Sequence, residues 1–360
     1  MNESMETHEL APHGSWAFRY GGDAIVNNAT EQPWTEIYDG GSSEAELRSF
    51  KLLAQAMLKI QEKNREIAAA TRPMRTLHSK IIAGISQAQL HIDSQLPGRF
   101  QVDYFRAGSL WKAAVRFSNA SGVPRADHLP DMRGIAIKVE LPNGGEHDLL
   151  MTNYPVSHAR NARQFVEFAV IAMGDSATFK TRLEEHFGSD ETARMLKTVT
   201  AGMRPSKGLD QEIFWSRGAL LWGDRPVRLL LRPKVEGTAA QDVPTTQDGL
   251  REAFAEQLNQ RSIAYRLAIQ PFVNERLTPI EDAAIEWRED VSEPVEIATL
   301  VLPSQDILSQ RGMQQMEAVN DMPFNPWNAP AAFRPLGNIN RARAEVYGAS
   351  ARQWVAEPRC

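Results

Sequence analysis

Four stretches of this chain place reactive side chains at spacings that could act together. In Arg75-Thr76-Leu77-His78-Ser79-Lys80 a histidine follows the helix-stopping pair Arg72-Pro73, with an arginine three residues before it. A neutral imidazole there can take up a proton and return it. Between Val115 and Gly122, strand alternation turns Arg116 and Ser118 to the same side, and a hydroxyl so placed can orient an imidazole. The apolar run Leu149-Leu150-Met151 ends on Thr152 and Asn153. Buried polar groups at that point need partners, and a ligand is one option. Arg343 and Tyr347 stand four apart on one helix face. A guanidinium beside a phenol favours the phenolate, and a phenolate is a good ligand for ferric iron. Each feature alone has an ordinary reading: a core histidine, two strand ends in polar turns, and a surface Arg–Tyr pair.

The surrounding pattern supplies elements to hold these residues. Ser43-Glu44-Ala45-Glu46 reads as a capping box opening a helix that runs to about Thr71. Val102–Phe105, Ala113–Phe117, Gly134–Leu141 and Asp148–Thr152 read as strands, with a hairpin turn at Pro142-Asn143-Gly144-Gly145. Residues 159–202 read as helices with one break near Gly174-Asp175. Strands return at Gly218–Trp222 and Val227–Leu231 around Gly223-Asp224, then at Ser262–Phe272 and Val295–Val301. Helices are expected at Leu250–Gln260, at Ser304–Ala318 with Ser304 as N-cap, and at Asn340–Ala356. Met322–Pro335 reads as a connector. Strands cluster, then helices, then strands again, which is the order of an α+β fold with a mainly antiparallel sheet. Residues 1–42 read as an N-terminal arm and 43–360 as a single domain.

Composition narrows the function classes. The chain has 360 residues, 42% hydrophobic and 24% charged, ordinary values for a globular protein. Its formal charge of −5 provides no overall field for nucleic acid or an anionic membrane. Cys360 is its single cysteine, so no intrachain disulfide or cysteine-held metal centre can form. No Sec-type leader and no apolar run long enough to span a bilayer stand in the sequence. A cytoplasmic location is the default expectation, with the periplasm also compatible. The signatures of P-loop, Rossmann, zincin and α/β-hydrolase chemistry are missing.

Taken in order and spacing, the motifs RTLHSK (75–80), VRFSNASG (115–122), DMRGIAIK (131–138), HDLLMTNYPV (147–156), Arg160–Phe165, PFNPWNAP (323–330) and RARAEVY (341–347) resemble the haem catalase family. The likeness covers roughly Arg72 to Arg352 and is that of a short, catalase-related haemoprotein. It implies an eight-stranded antiparallel β-barrel with surrounding helices and buried haem b. It also implies roles. His78 matches the distal acid/base, and Ser118 the residue that hydrogen-bonds it. Tyr347 matches the axial iron ligand, and Arg343 the arginine that keeps it ionised. Arg75 and Arg116 match arginines that pair with haem propionates, Phe165 the aromatic near the distal face, and Arg352 an arginine-bearing tract beyond the ligand. Where the family carries a catalytic asparagine, this chain has Thr152, followed by Asn153. A single hydroxyl cannot donate as an amide does, which argues against fast disproportionation. The reading is a haem-dependent peroxidase acting on hydrogen peroxide or organic hydroperoxides with an electron donor, and with weak catalase activity. Its alternatives are a lipid-hydroperoxide isomerase or dehydratase of the allene oxide synthase type, and a haem-binding protein without catalysis. Leu77, where the synthases carry threonine, weighs against the isomerase. Arms short for an interlocked tetramer make a homodimer the expected assembly.

Overall fold

The structure is a computed structural model and describes residues 33–234 and 243–356. Residues 1–32 of the expected arm lie outside the described residues. Residues 33–42 are tied to the body: the Trp34 indole donates to the Asp224 carbonyl at 2.9 Å, and Glu36 pairs with Arg341 at 2.8 Å.

The strands are β1 (Ile81–Ile92), β2 (Leu110–Asn119), β3 (Arg133–Glu140), β4 (Glu146–Thr152), β5 (Phe214–Ser216), β6 (Leu220–Trp222), β7 (Arg225–Pro233), β8 (Ile263–Pro271) and β9 (Val295–Leu302). The helices are α1 (Ser43–Ile67), α2 (Ala162–Ala172), α3 (Phe179–Phe187), α4 (Ser189–Gly202), α5 (Gly249–Gln260), α6 (Gln310–Asp321) and α7 (Asn338–Ala356). All strand pairs are antiparallel, in the order β5-β4-β3-β2-β1-β9-β8-β7-β6, and β5 also pairs with β7. That last pairing closes a ring. β5 meets β7 at Leu230 and Leu231, and β6 meets the same edge of β7 at Arg225–Val227. β5 and β6 are thus two stubs sharing one position in the wall, and the barrel is the eight-stranded antiparallel one expected from the sequence. No described helix is long and apolar enough to cross a membrane.

The alternation of side chains divides each strand between two faces. Val115 and Phe117 of β2, Ile135 and Ile137 of β3, and Leu149 and Met151 of β4 point into the barrel with Leu229, Leu231, Tyr265, Leu267 and Leu300. Burying each of the larger side chains contributes ~1.5–3 kcal/mol. The register sets Phe117 beside Ile135 and Ile135 beside Met151, so the apolar rows line up across the wall. On the outer face, α6 lies against β1 and β2. A Cβ at Gly84 would stand 3.0 Å from the Met316 Cα, so glycine permits that approach. α1, α2 and α7 share a second apolar cluster around Phe50, Leu53, Met57, Ala162, Val166 and Ala342.

Several element boundaries depart from the sequence reading. Val102–Phe105 is irregular, while the twelve-residue β1 was not anticipated. β1 is buried on both faces from Ile82 to Ile85 and bulged at two points, so it shows no clean alternation. α6 begins at Gln310 with Ser309 as its cap, not Ser304. The Asp306 carboxylate accepts from the Leu308 and Ser309 amides, while Ser304 is held by the Leu258 carbonyl. The 159–202 region has a second break at Gly188, φ 82°. α1 is capped by Ser42, one residue early, and Glu46 accepts from the Asp39 amide instead of closing a capping box. α1 ends at Ile67 and α7 starts at Asn338, each a few residues from its expected limit.

Arg341 fastens α7 to its surroundings. It pairs with Glu36 at 2.8 Å, Glu46 at 2.7 Å and Glu281 at 3.0 Å, and lies 4.7 Å from the Tyr38 ring centroid. Removing its charge would leave buried carboxylates without their cation. Arg341→Met is therefore expected to lower stability by ~3–5 kcal/mol, read as a fall in the urea midpoint at unchanged m-value.

Candidate active site

The outer face of β2, β3 and β4 carries the candidate residues. Register places Ser118 opposite Gly134 and Gly134 opposite Thr152, with Trp215 of β5 next along the row. Directly opposed residues share a face, so one row reads Ser118, Gly134, Thr152, Trp215. The next reads Arg116, Ala136, Leu150.

His78 lies over the first row. Its Nδ1 shares a hydrogen bond of 3.0 Å with the Ser118 hydroxyl. A Cβ at Gly134 would stand 2.5 Å from both Cε1 and Nδ1 of the imidazole. Glycine therefore makes the seat on which the ring rests. His78 itself has φ 56°, a left-handed conformation uncommon outside glycine. Its amide donates to the Ala120 carbonyl at 3.0 Å, and its carbonyl accepts from Arg116 at 2.9 Å. Both ends of the strained residue are held by β2 and the turn after it. Burial, then the charges of Arg116, Arg217, Arg343 and Arg75, lower the His78 pKa to about 3. The imidazole is neutral at physiological pH. Gly134→Ala is expected to push the ring off its seat at a cost of ~1–3 kcal/mol in thermal stability.

The second half comes from α7. Arg343 donates to the Tyr347 hydroxyl at 3.0 Å and to the Asn340 side chain at 3.2 Å. Asn340 in turn donates to the Ala219 carbonyl at 2.9 Å, and its own carbonyl accepts from Trp327 at 2.7 Å. The phenol is thus set by a chain of contacts from the barrel wall. Every residue from Arg343 to Ser350 is partly accessible, as is every residue from Met74 to Lys80. Both segments border open space instead of packing fully against protein.

The remaining candidates divide. Arg75 and Arg116 converge on Asn320, at 3.3 and 3.1 Å. Phe165, Leu77 and Val346 pack against one cluster, so the residues preceding His78 and Tyr347 meet through α2. The Thr152 hydroxyl is buried with no hydrogen-bond partner. Asn153 belongs to the opposite face. Its Oδ1 accepts from the Arg133 amide at 2.7 Å and its Nδ2 donates to Glu212 at 3.0 Å. Arg352 is exposed on α7.

Sequence reasoning passed over Arg217, which lies between β5 and β6. It donates to the Val156 carbonyl and, at 3.0 Å, to the Met132 sulfur. The one available signal was an arginine before a glycine inside an otherwise apolar strand pair. Among the described residues, no group of three or more His, Cys, Asp or Glu is placed to hold a bare metal ion. The residues do fit a planar iron macrocycle. Tyr347 carries an oxygen donor beside Arg343, Arg75 and Arg116 are cations that would meet acidic substituents, and Thr152 carries a hydroxyl without a partner.

No protein-family model matches the chain, and no curated protein matches it. Solved structures do. A fungal catalase superposes with TM-score 0.62 at 17% identity, covering 80% of this chain and 60% of that one. A bacterial catalase gives 0.60 at 17% identity, covering 82% and 60%. Catalase A from Saccharomyces cerevisiae gives 0.61 at 15%, covering 80% and 62%. The protein has the catalase fold, and the chain spans about 60% of the length of these structures.

Proposed function

We propose that the protein is a haem-dependent peroxidase that reduces hydrogen peroxide or organic hydroperoxides with electrons from a separate donor. The observation that carries this reading is the neutral His78 held by Ser118 on the outer barrel wall. Arg75 and Arg343 both act on its charge, Arg343 donates to the Tyr347 oxygen, and Arg75 feels Tyr347 directly. Acid/base and oxygen donor therefore share one neighbourhood.

Tyr347 would hold the haem iron, with Arg343 balancing the charge of its oxygen. Arg75 and Arg116 would meet the propionates, and Leu77, Phe165 and Val346 would provide apolar contact. Bound haem supplies an iron centre that exchanges electrons with a peroxide. The protein supplies the proton handling. With Nδ1–H directed to Ser118, His78 presents a bare Nε2 that takes the proton from one peroxide oxygen and returns it to the other as the O–O bond breaks. The overall change is ROOH plus two protons and two electrons to ROH and water. Thr152 adds one hydroxyl donor beside the imidazole.

An optical spectrum of haem-reconstituted protein tests the assignment. A ferric spectrum lost in Tyr347→Phe supports the axial ligand, and failure to bind haem overturns the reading. Peroxide loss that depends on a donor supports a peroxidase. Oxygen evolution as the main outcome replaces it with a catalase, and donor-free conversion of a lipid hydroperoxide replaces it with an isomerase. Thr152→Val is expected to keep or slightly raise the stability of the haem-free protein, because the lost hydroxyl has no partner. The same change should lower kcat/KM for hydroperoxide about tenfold, the value of one hydrogen bond.

A further inference from the structure

We propose that Tyr104 is a redox-active tyrosine, with His147 as its proton acceptor, that passes electrons from a donor at the surface near Trp111 to the haem site. This rests on the peroxidase reading above and names the route by which that site is reduced.

Tyr104 and His147 meet at the end of the barrel where β4 begins. Tyr104 precedes β2, His147 lies on β4, and both are buried. The Tyr104 hydroxyl and His147 Nδ1 stand 2.7 Å apart, and among the described residues the hydroxyl has no other hydrogen bond. A buried hydroxyl hydrogen requires an acceptor, so the phenol donates and Nδ1 accepts. Burial holds the imidazole neutral, and burial followed by the charge of Asp103 opposes ionisation of the phenol.

Oxidation changes that balance. A phenol that loses an electron becomes a strong acid, and a bare positive charge in an apolar core is costly. Tyr104 is therefore oxidised only if its proton leaves in the same step, and Nδ1 is placed to take it. Tyr265 provides the contrast within the same barrel. It is equally enclosed, but its hydroxyl donates to the Leu209 carbonyl at 2.7 Å, an acceptor that cannot hold a proton. Among the described residues, Tyr104 is the tyrosine whose hydroxyl meets an imidazole.

The surroundings connect the pair in both directions. Outward, the Trp111 ring stands edge-on to Tyr104 with centroids 5.7 Å apart, and its Nε1 donates to the Tyr104 carbonyl at 3.1 Å. Trp111 is partly accessible, so a donor can meet it. Inward, Phe333 stacks on His147 at 5.0 Å. His147 and Phe333 border a small cavity together with Asn340 and Arg343, the residues that set the Tyr347 oxygen. The pair thus approaches the site from the side of the proposed iron ligand.

Reduction of one hydroperoxide takes two electrons, and each passes singly. Tyr104 gives one electron to the haem site that hydroperoxide has oxidised, and its phenolic proton to Nδ1. A neutral phenoxyl radical and an imidazolium remain. An electron from a one-electron reductant then reaches the radical through Trp111, and the proton returns from Nδ1 to the oxygen. Burial, which disfavours the imidazolium, favours that return. The two protons of the overall reaction come from the donor and solvent, so the pair is restored unchanged.

The test has two arms. Haem-loaded protein mixed with hydroperoxide and no donor, then frozen, should give a hydrogen-bonded tyrosyl signal in high-field electron paramagnetic resonance. Tyr104→Phe should lose it, and Tyr265→Phe should keep it. His147→Gln should lose it too, because an amide accepts a hydrogen bond but not a proton. In stopped flow, Tyr104→Phe should react with hydroperoxide at the wild-type rate and lose the fast return driven by ferrocytochrome c, a donor too large to enter the site. The second arm uses haem-free protein, photo-oxidised with ruthenium tris-bipyridine and persulfate, and expects the same pattern of signals. A hydrogen-bonded tyrosyl signal that survives in Tyr104→Phe overturns the proposal, as does an unchanged return in that variant. If the protein binds no haem, the peroxidase reading fails, and the photo-oxidation arm still decides for or against the Tyr104–His147 pair.

Discussion

Haem-loaded His78→Ala is expected to consume hydroperoxide ~10²–10⁴-fold more slowly than the wild type, with its haem content retained. In the proposed reading the imidazole is the group that moves a proton between the peroxide oxygens. Ser118 and Thr152 carry hydroxyls that do not titrate in the working range, and the charges that act most on His78 are those of arginines. Ser118→Ala should cost less, about 10–100-fold, because the imidazole stays on its Gly134 seat but loses the partner that fixes its tautomer. The pH profile gives a second check. A base with pKa about 3 is unprotonated throughout the neutral range. No acid limb of kcat/KM due to His78 should therefore appear near 6.5. Stopped-flow rates across pH with wild type and His78→Ala would show it, and a limb near 6.5 that vanishes with the histidine would count against the buried neutral assignment.

Acid should destabilise the fold unusually early. His78, His147 and His158 each have a pKa lowered to about 3, in every case chiefly by burial. His147 is additionally fixed between the Tyr104 hydroxyl at 2.7 Å and a stacked Phe333. In the unfolded chain these imidazoles titrate near 6.5. Below that pH the unfolded state binds protons that the native state refuses. Native stability is then lost as pH falls from about 6.5 towards 3, and is fully present above 6.5. From pH 7 to 5, three such groups together remove about 6 kcal/mol, much of the stability of a typical domain. Urea unfolding at the two pH values checks this, and His147→Gln should shrink the difference by about a third. A difference within 1 kcal/mol would show that the imidazoles take up protons in the folded protein.

The sequence made the barrel legible wherever strands alternate cleanly. β2, β3 and β4 keep apolar and polar residues apart, and their turns carry strong signals, as at Gly144 with φ 78°. β1 escaped because helix α6 covers one of its faces and the barrel interior the other, so Ile82 to Ile85 read as a short apolar run without period. β5 escaped because three residues are too few for a pattern. Helix starts slipped where a competing cap lay nearby, as with Ser304 and Ser309.

At the site, residue types were readable but their joint geometry was not. Adjacent strand residues face opposite ways, so Thr152 and Asn153 part company, and the structure shows what occupies the second: Glu212 and the Arg133 amide. The seat under His78 could not be read at all. Gly134 matters through the side chain it lacks, and only the register of β2 and β3 reveals what would fill that space. Arg217 was hidden for the same reason, since its contacts with the Val156 carbonyl and the Met132 sulfur are a property of space and not of spacing.

The strict alternation of β2, β3 and β4 has a consequence for how such a protein can change. Odd-numbered residues from Val115 and Phe117 through Ile135 and Ile137 to Leu149 and Met151 hold the interior together. The even-numbered Arg116, Ser118, Gly134, Ala136, Leu150 and Thr152 shape the outer wall. Two independent inheritances run along the same three strands. A lineage can redraw the chemistry of the wall, exchanging an amide for the hydroxyl of Thr152 or resizing Ala136, while the side chains that make it fold go untouched.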